Sequence, residues 1–156
     1  MNIDAGVLRA AFACFPSGVT AIAGLVGGRP VGMAVSSFAS ISLEPPLIAA
    51  SIQRTSTTWP LLRGAAALGV SVLAEDHGEL GRRLSGTGDR FAGVDWTAAE
   101  SGAVLIGGAT ARFDCTLHQE VPAGDHVLAL LAVTAVEFRP SVPPLVFHGS
   151  RFRRLA

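Results

Sequence analysis

The chain has 156 residues, no formal net charge at pH 7 and only 15% charged residues. Its one basic run, RFRR at residues 151–154, is too short to favour a nucleic acid or an anionic membrane as a partner. The length fits a single domain, residues 1–156, with a sizeable core. Because soluble domains average about 25% charged residues, we expect part of the surface to be covered in a homodimer. A monomer with an apolar surface is the alternative.

Lysine is absent, so every strongly basic side chain is an arginine. This excludes Schiff-base chemistry, including that of pyridoxal enzymes. The two cysteines, Cys14 and Cys115, form no C-x-x-C motif and predict neither a disulfide framework nor a zinc site. The N-terminal residues lack the pattern of a signal peptide, and the longest apolar runs are too short to span a bilayer. We therefore expect a cytoplasmic protein without a metal.

The first half of the chain predicts one helix followed by short strands. The stretch DAGVLRAAFACF is typical of a helix that Asp4 caps and that FPSG ends. VTAIAGLV predicts a strand, GGRP a turn, and residues 31–38 the hairpin partner. EPP interrupts the chain before a short buried strand, LIAASI. The stretch TSTTWPLLRGA predicts a loop with a helical turn, and ALGVSVLA the next strand.

The second half of the chain predicts a short helix and two long strands. DHGELGRRLSG indicates the helix and TGDRFAGVDW a loop. ATARFDCTLHQEV alternates apolar and polar residues, which is typical of a half-exposed antiparallel strand. PAGD then turns into HVLALLAVTAVEF, a strand that is apolar on both faces, and PLVFHGSRFRRL ends the chain. Six or seven strands joined by hairpins favour a mainly β fold, an antiparallel barrel with two or three short helices, over a Rossmann sheet.

Common catalytic motifs are missing from this pattern. No G-x-G-x-x-G follows a strand, and the chain has no Walker loop, G-x-S-x-G or H-E-x-x-H. The four histidines show no metal-ligand spacing. Taken alone, composition and pattern indicate a β-barrel domain that dimerises.

The stretch GMAVSSFAS, residues 32–40, is unusually rich in small residues for a strand. Glycine, alanine and serine bury little apolar area, but they let a planar ligand approach the backbone, and serine adds hydroxyl groups. The alternative is that two barrel strands simply pack closely here.

Seven stretches, in order, make the chain resemble the flavin reductase-like family, the FMN-binding split barrels that serve as reductases in two-component flavin monooxygenases. The resemblance implies a split β-barrel of six or seven antiparallel strands and a homodimer with flavin bound near the subunit interface. The stretches are FPSGVTAIA, GMAVSSFASISLEPPLI, RTSTTWPLL, VSVLAEDHGELGRRLSG, DRFAGVDW, GDHVLALLAV and PLVFHGSRF.

The resemblance also implies which residues hold the flavin. One group of residues is expected to form the wall of the flavin site, and a second group is expected to bind the flavin phosphate. The wall comprises Gly32, Met33, Ala34, Val35, Ser36, Ser37 and Phe38, with Ser51 on the next strand. The phosphate contacts are Ser56 and Thr58 in RTSTT, with Arg54 and Arg90 as cations. The alternative for Ser56 and Thr58 is that their hydroxyl groups cap the following helix and do not bind a phosphate.

The nicotinamide site is expected from two further motifs of the resemblance. His126 in GDH matches a histidine near the nicotinamide and is the one candidate for a catalytic role. His148, Arg151 and Phe152 in HGSRF are candidates for contacts with the flavin or the nicotinamide. A structural role in a turn or in the C-terminal strand is the alternative for each of them.

The function implied is hydride transfer from NADH or NADPH to FMN, with FAD also possible, and supply of reduced flavin to a partner monooxygenase. One alternative is an enzyme with fixed FMN that reduces another substrate. The other is a flavin-binding protein without reductase activity, which LAV at residues 131–133 would fit because the family has Gly-Glu-Val there.

Overall fold

The computed structural model describes residues 2–156 and consists mainly of β-strands. The helices are α1 (Ala5–Phe12), α2 (Trp59–Leu62) and α3 (Gly78–Leu84), and a 3-10 turn, Glu75–His77, precedes α3. The strands are β1 (Ser17–Gly18), β2 (Thr20–Val26), β3 (Arg29–Val35), β4 (Ala39–Leu43), β5 (Pro46–Gln53), β6 (Leu68–Val72), β7 (Trp96–Ala98), β8 (Val104–Ile106), β9 (Ala111–Ala123), β10 (His126–Phe138), β11 (Val146–His148) and β12 (Arg151–Arg153).

The main sheet contains seven strands in the order β3-β2-β6-β9-β10-β5-β4. All neighbouring pairs in it are antiparallel. The long strands β9 and β10 form a hairpin, as the alternating and continuous apolar patterns predict. The prediction of a mainly β fold built on six or seven antiparallel strands is therefore confirmed, with β1, β11 and β12 forming a small separate sheet.

Buried residues form two apolar clusters. One is built around Ile22, Trp59 and Leu131, and the other around Leu73, Phe91 and Leu145. The close approach of β6 to β8 requires a glycine, since a Cβ on Gly69 would lie 2.0 Å from the carbonyl oxygen of Val104. The first cluster includes Val35 and Ile52, at the ends of β3 and β5, from which the candidate site is built.

Helix α1 begins as the sequence predicts, because Asp4 Oδ1 accepts hydrogen bonds from the backbone N–H groups of Gly6 (2.7 Å) and Val7 (3.1 Å). No residue of this helix is buried within the chain. Its C-terminal end is tied to the β11–β12 turn by a hydrogen bond from Gly149 N–H to the Ala13 carbonyl (2.9 Å). None of the described helices is long and apolar enough to cross a membrane.

Two details differ from the sequence prediction. The hairpin partner predicted over residues 31–38 runs from Arg29 to Val35: it begins inside the predicted GGRP turn and ends early, because the chain bends at Ser36 before it starts β4. Strand β4 and the β7–β8 hairpin were not predicted. Each of these strands has five residues or fewer, too few for a periodic pattern to appear.

Candidate functional site

A cleft of about 500 Å³, called here the first cleft, opens between the end of β3 and the loop 54–58 that joins β5 to α2. Ten of the residues expected to contact flavin or nicotinamide line it. They are Met33, Ala34, Val35, Ser36, Ser37, Ser51, Ser56, Thr58, Arg90 and His126. The fold thus brings the small-residue strand, the hydroxyl-rich loop and the turn histidine to one place.

The small-residue wall is held to β5 by Ser37. Its hydroxyl donates to the Ser51 carbonyl (3.1 Å) and accepts from the Ser51 N–H (2.9 Å). This hydroxyl is therefore engaged in joining the two strands, whereas the neighbouring Ser36 side chain is exposed at the cleft. The wall can admit a flat group because none of its side chains from Ala34 to Ser37 is larger than valine.

Ser56, Thr58 and Arg90 bring three side-chain hydrogen-bond donors to the first cleft. Ser56 Oγ accepts from the Trp59 N–H at the start of α2 (3.1 Å). Thr58 Oγ1 accepts from Arg90 Nη1 (3.1 Å), which also donates to the Gly32 carbonyl (2.9 Å). A hydroxyl that accepts one hydrogen bond still has its own hydrogen to donate. Two O–H groups and a guanidinium suit a phosphate, so the donor set fits a flavin nucleotide.

His126 lines the first cleft from the first position of β10, directly after the turn that joins β9 to β10. Its Nδ1 lies 2.7 Å from Asp125 Oδ1. This hydrogen bond, together with the charge of His126, holds the pKa of Asp125 below its usual value. Since Nδ1 faces the carboxylate, Nε2 is the ring nitrogen left for a ligand.

Three expected flavin contacts lie outside the first cleft. Gly32 was predicted to let the flavin approach, but a Cβ there would meet Ala23 Cβ and Phe91 Cζ, both at 2.8 Å. The missing side chain therefore makes room for the protein's own core. Phe38 packs into the first apolar cluster beside Phe113. Arg54 Nε donates to the Gly124 carbonyl (2.9 Å) and so steadies the turn that carries His126.

The C-terminal candidates lie on the β11–β12 hairpin. His148 and Arg151 are paired across its turn and do not line the first cleft. Phe152 packs against Phe147 and over Gly81, where a Cβ would lie 3.0 Å from its ring. It lines a recess of about 90 Å³ that shares Ala34, Val35, Ser36 and Ser85 with the first cleft, so Phe152 lies next to the cleft without lining it.

The first cleft has further lining residues that the sequence reasoning did not single out: Ile52, Gln53, Thr55, Thr57, Leu84 and Ser85. Thr55 and Thr57 belong to the same hydroxyl-rich run as Ser56 and Thr58, so this run in the sequence could have identified them as cleft residues. Leu84 and Ser85 end α3 and reach the cleft only through tertiary packing, which leaves no local pattern.

Both cysteines are free thiols. Burial, with the Asp114 carboxylate as a smaller cause, raises the pKa of Cys115 to about 12. Because the thiolate is the reactive form, Cys115 is inert near neutral pH. Within residues 2–156, no group of three or more His, Cys, Asp or Glu side chains is arranged to hold a metal ion.

Comparison with known proteins identifies the family of this chain. A family described as "Flavin reductase like domain" matches residues 12–156. The chain therefore belongs to the flavin reductase-like family, which confirms the recognition made from the sequence motifs. The assignment to NAD(P)H-dependent flavin oxidoreductases is confirmed with it.

Individual relatives cover nearly the whole chain. The actinorhodin polyketide dimerase of Streptomyces coelicolor is 39% identical over 157 residues, covering 99% of this chain and 89% of the relative. The flavin-dependent monooxygenase reductase subunit HsaB of Rhodococcus jostii is 37% identical over 94% of this chain and 76% of its own length.

A solved structure shares the fold closely. The NADH:FAD oxidoreductase SgcE6 of Streptomyces globisporus, in complex with NAD and FAD fragments, superposes with a TM-score of 0.91. It is 35% identical in sequence, and the match covers 100% of this chain and 97% of that one.

Proposed function

We propose that this protein is the reductase component of a two-component flavin-dependent monooxygenase. It takes electrons from NADH or NADPH, reduces a flavin in the first cleft and releases the reduced flavin to the oxygenase. Relatives named as monooxygenase reductase subunits and as an NADH-dependent FAD reductase support this proposal.

The observation that carries the proposal is that Ser56, Thr58 and Arg90 line the same cleft as the small residues 34–37. The side chains described along this cleft include no carboxylate. A lining with an arginine, hydroxyls and no acid favours an anionic ligand. The geometry accordingly suits a flavin phosphate at one side and a flat ring system along residues 33–37.

A bound flavin supplies the hydride chemistry itself, accepting a hydride from the nicotinamide. The chain's own residues bind and orient the reactants. The backbone of residues 33–37 forms the wall, and the loop 54–58 holds the phosphate. His126 lines the same cleft, and its Nε2, which Asp125 does not occupy, can bind the nicotinamide amide or a flavin oxygen. No acid–base pair is needed for this chemistry.

The departure at residues 131–133 does not argue for a protein without reductase activity. Leu131 is buried in the core and Val133 packs against the same apolar cluster. Neither residue lines the first cleft. Leu131 and Val133 therefore belong to the packing of β10, whereas the candidate nicotinamide residue, His126, lines the cleft.

The homodimer expected from the low charge content is also part of the proposal. Val7 and Phe12 on α1 are 64% and 67% exposed, and Phe15 just after it is 76% exposed. Isolated helices shorter than about 12–15 residues are marginal in water. A helix of eight residues with no buried side chain therefore needs a covering surface, which a second copy would provide. We also propose that residues 1–156 form a single domain and that the protein is cytoplasmic.

The test is oxidation of NADH and of NADPH by purified protein, with and without added FMN or FAD. We expect oxidation that requires added flavin and rises with its concentration. Full activity without added flavin would indicate an enzyme with fixed flavin. A protein that binds flavin but oxidises neither nucleotide would contradict the reductase proposal.

A further inference from the structure

A second cleft of about 370 Å³ adjoins the first. It shares Thr57, Thr58 and Arg90 with the first cleft, so the two clefts meet along these three residues. Its own walls come from the start of β3, from α2 and from the loop after α3. These wall residues include Pro30, Val31, Leu61, Thr87, Asp89 and Phe91.

Arg90 stands at the boundary between the two clefts. Both of its hydrogen bonds within the described chain use Nη1, to the Gly32 carbonyl and to Thr58 Oγ1. The guanidinium carries five N–H donors, so Nη2 and Nε remain for a ligand. No carboxylate among residues 2–156 forms an ion pair with Arg90. A half-buried, uncompensated cation at the junction suits a phosphate or diphosphate.

The walls of the second cleft suit a flat heterocycle. Pro30, Val31, Leu61 and Phe91 supply apolar surface. The Asp89 Oδ1 oxygen accepts from the Phe91 N–H (3.1 Å), which leaves Oδ2 as an acceptor for an amino group. Apolar walls with a few placed polar groups are typical of small-molecule sites. The volume lies within the usual range of about 300–1,000 Å³ for such sites.

From this arrangement we infer that the second cleft binds the adenylate half of FAD. The isoalloxazine and ribityl groups lie in the first cleft, and the diphosphate passes Arg90. FMN has no adenylate group, so its terminal phosphate binds at Arg90 and the second cleft stays empty. The inference rests on the proposed function and makes FAD the preferred flavin, with the second cleft as the source of the preference.

Two substitutions from opposite walls test the inference by filling the second cleft. Leu61, which is 50% exposed, and Thr87, which is also exposed, are each changed to tryptophan. Thr97→Trp, at an exposed position of β7, is the matched control. Dissociation constants for FAD and FMN are measured by flavin fluorescence titration. The KM for NADH is measured with FMN as the acceptor.

We expect wild-type protein to bind FAD at least about tenfold more tightly than FMN. Leu61→Trp and Thr87→Trp should each remove most of this difference, changing FMN binding by less than about twofold. Thr97→Trp should keep the wild-type preference. Fluorescence titration reports binding directly and is independent of turnover.

Three outcomes would overturn the inference. If wild-type protein bound FAD and FMN equally, the second cleft would contribute nothing to flavin binding. If the two substitutions raised the KM for NADH and left FAD binding unchanged, the cleft would bind the pyridine nucleotide instead. In both cases flavin reduction would persist, so the proposed function would stand. Protein that bound no flavin and oxidised no NADH would overturn both.

Discussion

At Gly32 the structure has no room for a side chain. A Cβ would lie 2.8 Å from Ala23 Cβ and 2.9 Å from the Ile22 carbonyl oxygen. We expect Gly32→Ala to lower the free energy of unfolding by about 1–3 kcal/mol, because overpacking forces neighbouring backbone to shift. Urea denaturation measures the loss. Gly18→Ala is the control, because a Cβ there meets nothing within 4 Å; equal stabilities of the two variants would contradict this account of Gly32.

Arg90 is the residue on which phosphate recognition depends most. Hydrogen bonds to charged groups contribute about 1.5–3 kcal/mol. Arg90→Gln should therefore raise the dissociation constant for FMN at least about tenfold, with little change for riboflavin, which has no phosphate. Flavin fluorescence titration makes the comparison, and Arg139→Gln, at an exposed position, is the control. A similar loss for riboflavin and FMN would show that Arg90 acts only by bracing Gly32 and Thr58.

Among the elements, α2 fixes the phosphate-binding loop 54–58 to the sheet. The buried Trp59 donates from Nε1 to Glu120 Oε1 (2.7 Å) on β9, and Arg63 Nη2 lies 2.5 Å from Oε2. Glu120→Ala leaves a buried indole N–H without a partner, which costs about 1–3 kcal/mol. We expect lower stability in denaturation and a higher KM for flavin, because the loop loses its anchor.

Glu120→Gln separates the two contacts of this anchor. The amide oxygen can still accept from Trp59, and only the ion pair with Arg63 is lost. Because the Arg63 side chain is 53% exposed, that pair contributes at most about 1 kcal/mol. Near-wild-type stability and KM are expected for Glu120→Gln. If the glutamine variant were as impaired as the alanine variant, the ion pair rather than the indole contact would hold α2.

Elements with a strong local pattern could be predicted from the sequence. The alternation of β9, the apolar run of β10 and the Asp4 cap of α1 each depend on neighbouring residues. The short strands β4, β7 and β8 pair with strands close by in the chain, but with five residues or fewer they are too short to show a periodic pattern. The same limit applies to the site: the hydroxyl run of the loop 54–58 is visible, but the contact between Arg90 and Gly32 joins residues 58 positions apart.

For the whole molecule, the exposed apolar surface of α1 predicts self-association. Phe12→Asp places a charge on that surface and should weaken the dimer by at least about 2 kcal/mol, as loss of a central aromatic contact does. Sedimentation velocity should then show dimers for wild-type protein and monomers for the variant. Val136→Asp is the control, because Val136 is 53% exposed on β10. A wild-type monomer, or a Phe12→Asp dimer of unchanged stability, would contradict the prediction.

The central claim is that the first cleft is where this chain reduces a freely exchanging flavin. The most direct measurement is the initial rate of NADH oxidation at rising free flavin for wild-type protein and for Ser36→Trp. Ser36 lines the cleft with an exposed side chain, so tryptophan would fill the flavin's space. Ser141→Trp, at an exposed loop position, is the control. We predict saturation for wild-type protein and the control, and a rate near background for Ser36→Trp; a wild-type saturation curve from Ser36→Trp would contradict the claim.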